Sequence, residues 1–146
     1  MQLASGYEHP RRTVVAVLIV AAAGLGVRVD RIGDPLVSAA RLMLAKRNAD
    51  SFIGTDLDKR LRDLGVSRVV VTGLATEFCV DSTCRAALSR GYYLTLVEDG
   101  YSTPTPPPDS RLSAEAIVAR YNQVLGWIDY PDRDITVTPA ADVTFG

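Results

Sequence analysis

The stretch that most constrains the fold is Val69-Val70-Val71, three β-branched residues in a row with no polar break. A strand with one wet face alternates apolar and polar residues. An unbroken run suits a strand covered on both faces, as in parallel sheets. Val66 to Thr72 therefore reads as a buried strand, followed by Gly73 and a short turn. A helix is expected from about Val80 to Arg90, terminated by Gly91. Tyr92 to Val97 repeats the buried-strand pattern and is expected to end at Glu98 and Asp99. This alternation implies an α/β fold, a doubly wound parallel sheet with helices on both faces.

The rest of the chain fits that scheme. Residues 13–24 are apolar on all sides, so periodicity does not separate buried helix from buried strand. Val27 to Asp30 reads as a short strand, Gly33-Asp34-Pro35 as a turn, and Leu42-Met43-Leu44 as the end of a strand before Lys46. Thr55 has the character of a helix N-cap, with Asp58 three places on and Leu57, Leu61 and Leu64 at helical spacing up to Gly65. Ser102 to Pro108 is a rigid proline-rich loop, not a linker, because too little chain follows to fold alone. Ser113 is expected to cap a last helix through about Trp127, and Ile135-Thr136-Val137 to form a final strand.

Length and charge narrow the function. A chain of 146 residues suits one domain, residues 1–146, with one core. A net charge of -1 without a Lys/Arg cluster argues against nucleic-acid binding. The single histidine, His9, nearly excludes a histidine-rich metal site and a Ser-His-Asp arrangement. The two cysteines, Cys79 and Cys84, suggest neither a disulfide scaffold nor a zinc site. Arg11 and Arg12 precede a charge-free run from Val14 to Val27. That run is short for a membrane span. It fits a buried core element better than a signal peptide with a cleavage site at Ala21 to Ala23. A cytoplasmic protein without a membrane partner is expected.

Ligands of open parallel sheets bind beyond the carboxyl ends of the strands. Lys46, the turn Gly73 to Cys79, and Asp99 fall at such ends. Cys79 stands where a turn enters a helix. Free N–H groups and the positive end of the helix dipole favour a thiolate there, and the same groups can hold an oxyanion. A buried structural cysteine is the competing reading, and it is preferred for Cys84. A lysine near the thiol would add Coulomb attraction, although most lysines are simply solvated.

The segments Lys46-Arg47-Asn48-Ala49-Asp50-Ser51-Phe52, Thr55-Asp56-Leu57, VVVTGLATEFCVDSTCRAAL (69–88) and GYYLTLVEDGYST (91–103) resemble the isochorismatase-like cysteine hydrolases. That superfamily includes nicotinamidases and N-carbamoylsarcosine amidohydrolases. The similarity runs unbroken over about residues 42–143. It implies that Cys79 is the nucleophile and Lys46 the catalytic lysine. It also implies a cis peptide at Leu74-Ala75 and an oxyanion hole made by the N–H groups of Ala75 and Cys79. Phe52 and Thr76 match positions near the substrate pocket. The implied reaction is cleavage of a C–N bond of a small amide through a Cys79 thioester, without a cofactor or metal, in a homo-oligomer.

One part of the pattern has no counterpart. The family's catalytic aspartate ends its first strand in a segment of the type L-x-x-I-D-x-Q, which does not occur here. In the preferred placement, residues 13–29 are the family's first helix and second strand, with the first strand upstream of Met1. In the other, Val14 to Val20 is the first strand, with Ala21 or a neighbour where the acid belongs. The spacing of Asp30 and Asp34 supports neither as a replacement, and one histidine cannot supply the metal ligands of the metal-binding nicotinamidases. An inactive or truncated relative serving as a binding or assembly module is the alternative expectation.

Overall fold

The computed structural model describes residues 15–20, 44–104 and 110–144. Four strands make one parallel sheet in the order β1 (Val15–Val20), β2 (Arg68–Leu74), β3 (Tyr93–Ser102) and β4 (Ile135–Thr138). The helices are α1 (Leu57–Asp63), α2 (Asp81–Ser89) and α3 (Ala114–Gly126). A five-residue π turn, Thr76–Val80, leads into α2. The strand suggested at 27–30, the turn at Gly33 to Pro35, the residues Leu42 and Met43, and positions 105–109 of the proline loop lie outside the described residues.

The apolar run near the start is a strand, which corrects the helix preferred from the sequence. Val15, Val17, Ile19 and Val20 are β-branched, which favours a pleated, paired environment. β1 lies beside the Val69-Val70-Val71 strand, with Val17 opposite Val70 and Val20 opposite Gly73. A strand here agrees with the second placement considered for this run. After Val20 the sequence continues Ala21-Ala22-Ala23.

Alternation within the buried strands divides them between two faces. Val69 and Val71 of β2 join Leu94 and Leu96 of β3 in one apolar cluster. Leu57 and Leu61 of α1, Cys84, Ala87 and Leu88 of α2, and Leu125 of α3 complete it. All three described helices thus share one core. Each fully buried leucine there contributes on the order of 1.5–3 kcal/mol. Val70, Thr95 and Val97 point the other way and are buried as well, so the unbroken apolar run reflects cover on both faces.

Local signals set the helix ends. The Thr55 hydroxyl accepts the Leu57 N–H at 3.3 Å and donates to the Ser51 carbonyl at 2.7 Å. The first helical residue is therefore fixed by Thr55, although Asp56 occupies the formal cap position. The Ser113 oxygen accepts the Ala116 N–H at the start of α3. The Asp58 carboxylate in α1 accepts the Tyr92 hydroxyl at 2.8 Å, tying that helix to the foot of β3.

β3 runs longer than its sequence pattern suggests. Its register jumps where Leu96 faces Val71 but Tyr101 faces Gly73, so Val97 to Gly100 all pass opposite Thr72. Glu98 and Asp99 therefore sit within the strand and do not end it. The bulge is compact at Gly100, where an added Cβ would stand 2.7 Å from Val97 Cγ1 and 2.8 Å from Val97 Cβ.

Gly100→Ala is therefore expected to cost about 1–3 kcal/mol by overpacking, read as a lower urea midpoint with an unchanged slope. A second expectation concerns alkali. Burial, the hydrogen bond to Asp58 and that carboxylate's charge push the Tyr92 hydroxyl up to about 12, against Arg62 and Arg90. A raised acid is favoured in its protonated form by the fold. Its stabilising contribution is present below the ordinary tyrosine range, near ~10, and is lost as pH climbs toward the folded value. Tyr92→Phe should flatten part of the alkaline fall in urea midpoint relative to the unchanged chain.

Candidate active site

β2 delivers its chain to the carboxyl edge of the sheet at Gly73, whose φ of 126° is open to glycine and strained for other residues. The peptide between Leu74 and Ala75 is cis. The Ala75 carbonyl then accepts the N–H groups of both Phe78 and Val80, at 3.2 and 3.1 Å, which closes the π turn. Cys79 is carried near the end of that turn, directly before α2. Both cysteines are buried and belong to the apolar core cluster, Cys79 at 7% exposure and Cys84 at 0%. Burial pushes the Cys84 thiol up, reinforced by Asp81 and opposed by Arg85. Phe78, the residue before Cys79, is 59% exposed.

Lys46 belongs to a separate segment. Its ammonium donates to the Ala49 carbonyl at 2.8 Å and to the Asn48 carbonyl at 3.2 Å. The Ala49 carbonyl also accepts from the Thr83 hydroxyl at 3.4 Å. Thr83 lies four positions after Cys79, the spacing that places two side chains on one helix face. Two hydrogen bonds therefore connect the lysine to the helix that follows the cysteine.

Other candidates are placed elsewhere. Phe52 is buried in the core cluster. Its ring stacks 6.1 Å from that of Tyr92, with Arg90 Cζ 4.5 Å above it. Arg90 caps the far end of α2, whose nine residues span roughly 13 Å. Thr76 is fully enclosed, and among the described residues its hydroxyl has no partner. Asp99 accepts the Ala140 N–H at 2.8 Å, a backbone cap on the turn after β4.

The carboxylates nearest in sequence to Cys79 are committed to other partners. Glu77 accepts the Thr103 hydroxyl at 2.6 Å, and Asp81 pairs with Arg85 at 2.8 Å. Both also act on Tyr121 of α3, helping to raise its hydroxyl after burial, the main cause. Asp50 accepts the Phe52 N–H at 2.7 Å. Asp30 and Asp34 lie outside the described residues. Among the described residues, no group of three or more His, Cys, Asp or Glu side chains is arranged to hold a metal ion. No described helix is long and apolar enough to cross a membrane.

Sequence reasoning passed over Glu77, Thr103, Ser51 and Thr83. The signal for Thr83 was its four-residue spacing from Cys79. Ser51 and Thr103 had none, because their partners lie far away along the chain.

Residues 13–129 match the family model described as the isochorismatase domain, and the chain belongs to that family. It is 38% identical over 80 residues to an uncharacterized isochorismatase family protein of Bacillus subtilis, covering 55% of this chain and 43% of that protein. It is 32% identical over 103 residues to the streptothricin hydrolase of Streptomyces noursei, covering 70% of this chain and 40% of that enzyme. The crystal structure of N-carbamoylsarcosine amidase from Thermoplasma acidophilum superposes with a TM-score of 0.51 at 27% identity, over 77% of this chain and 57% of that one. The chain thus spans less than half the length of these two curated relatives.

The bond between Glu77 and Thr103 fastens the π turn to the end of β3. Glu77→Ala leaves a buried hydroxyl unpaired and should cost about 1–3 kcal/mol in urea unfolding.

Proposed function

We propose that this chain carries the nucleophile half of a cysteine hydrolase that cleaves the C–N bond of a small amide. The observation that carries the reading is the position of Cys79, on the turn between the central strand and α2, with the Lys46 segment fastened to the same helix. Kinship with a streptothricin hydrolase and structural likeness to an N-carbamoylsarcosine amidase support amide chemistry.

In this mechanism the Cys79 sulfur attacks the amide carbon. The N–H groups of Ala75 and Cys79 take the developing oxyanion. Two N–H groups of the Lys46 ammonium are spent on the Asn48 and Ala49 carbonyls, and the third stabilises the anionic sulfur. The amine departs with a proton, leaving a thioester between Cys79 and the acyl group. Water then attacks the thioester, releasing the acid and restoring the thiol.

The weak point is the base that should take the thiol proton. β1 occupies the sheet position beside the strand of Cys79, and Ala21 follows it in sequence, not an acid. Loss of a positioned base costs about 10²–10⁴-fold in rate. That observation favours a second reading, a family member that retains the fold as a binding or assembly module.

Iodoacetamide labelling resolved by peptide mass separates the two readings. A poised site predicts that Cys79 reacts at least about tenfold faster than Cys84 at neutral pH without denaturant. Equal, slow labelling of both cysteines sinks the hydrolase reading. Ammonia release from a panel of small carboxamides and carbamoyl amines, abolished by Cys79→Ala, would establish turnover.

A further inference from the structure

The hydrolase reading needs Lys46 and Cys79 to act together, yet they belong to segments far apart in the chain. The connection runs through one enclosed side chain. The Thr83 hydroxyl accepts the Ser51 N–H at 3.2 Å and lies 3.0 Å from the Ser51 hydroxyl. It donates to the Ala49 carbonyl, which also holds the Lys46 ammonium. A hydroxyl has one proton and two acceptor sites. With Ser51 donating twice and Ala49 accepting, all three are used.

This is an unusual use of a helical threonine. Within a helix such a hydroxyl commonly turns back to the carbonyl four residues earlier, which here belongs to Cys79. Thr83 instead spends its capacity on the 49–51 backbone. Lys46 in turn is held by the carbonyls of Asn48 and Ala49, so the segment that Thr83 fastens is the one that aims the ammonium. Ser51 extends the attachment by accepting the Thr55 hydroxyl at its carbonyl, which links the segment to the start of α1.

We propose that Thr83 is a positioning residue, fastening the Lys46 segment to the helix of Cys79 and thereby fixing where the ammonium stands. The proposal rests on the hydrolase reading of Cys79 and Lys46. It adds to that reading a hydroxyl that never touches substrate yet decides whether the lysine can reach the sulfur. Valine has nearly the shape of threonine, so a purely packing role would tolerate it. Removal of the hydroxyl releases the Ser51 and Ala49 bonds together.

The test uses the full chain and the rate of Cys79 alkylation by iodoacetamide across pH, with Cys84 and the urea midpoint as controls for the fold. Thr83→Val should slow labelling of Cys79 at neutral pH by about three- to tenfold and move its pH profile upward, because an attracting charge has been loosened. Thr83→Ser should label like the unchanged chain. Lys46→Met should slow labelling at least as much. The Thr83→Val/Lys46→Met double variant should label no more slowly than Lys46→Met alone, the signature of action through the lysine. Should Thr83→Val not fold, Ser51→Ala carries the same test with a smaller effect that vanishes in the Lys46→Met background. Normal labelling in Thr83→Val, or effects of the two substitutions that multiply, would overturn the proposal. If Lys46→Met slows labelling and Thr83→Val does not, only the role of Thr83 falls. If Lys46→Met changes nothing, the role of the lysine falls and that of Thr83 with it.

Discussion

The pairing of β2 on both of its edges governs where everything else lies. β1 and β3 hold it in parallel register, and its three consecutive valines fill the space above and below the sheet. A strand so enclosed can release its chain only at the carboxyl edge. The reversal begins at Gly73, and the π turn brings Cys79 to the start of α2. The cysteine's place is therefore a consequence of strand pairing. The same geometry accounts for the small difference in exposure between the two buried thiols. Cys84, five residues further on, is carried down over the sheet and loses contact with water.

A second constraint acts on the Lys46 segment. It has no regular secondary structure of its own, and its backbone groups are satisfied by side chains. Lys46, Asn48, Asp50, Thr55 and Thr83 take over hydrogen bonding that a helix or sheet would supply. The loop is tied at several points to the helices on either side of it. Phe52 then turns inward and is sandwiched between Arg90 and Tyr92. One short stretch of chain thus contributes both to the region of the cysteine and to the core at the opposite end of the strands.

Much of this was legible in the residues. The valine run, Gly91, Ser113 and the alternation of elements define the strands and helices near their observed positions, because those signals are local. The turn from Gly73 to Cys79 was legible through its resemblance to a known pattern. What was not legible depends on distance along the chain. The all-apolar residues near the start carry no periodicity, so only pairing with β2 identifies Val15–Val20 as a strand. The packing of the Phe52 ring depends on Tyr92 and Arg90, far along the chain. Glu98 and Asp99 looked like a strand end because charges usually stop a buried strand, but the bulge carries them past Thr72 without breaking the pairing of Tyr101 and Ser102.

That bulge has a mechanical meaning. Its residues are gripped from outside the sheet: Asp99 by the turn that follows β4, and the Glu98 carbonyl by Asn122 of α3. Beyond it, Thr103 takes hold of Glu77 in the turn that carries the cysteine. The last third of the sequence, which contributes no candidate reacting group, therefore works as a tensioner. Slack introduced near Ala140 or Asn122 would travel through β3 and be felt at the turn that carries Cys79.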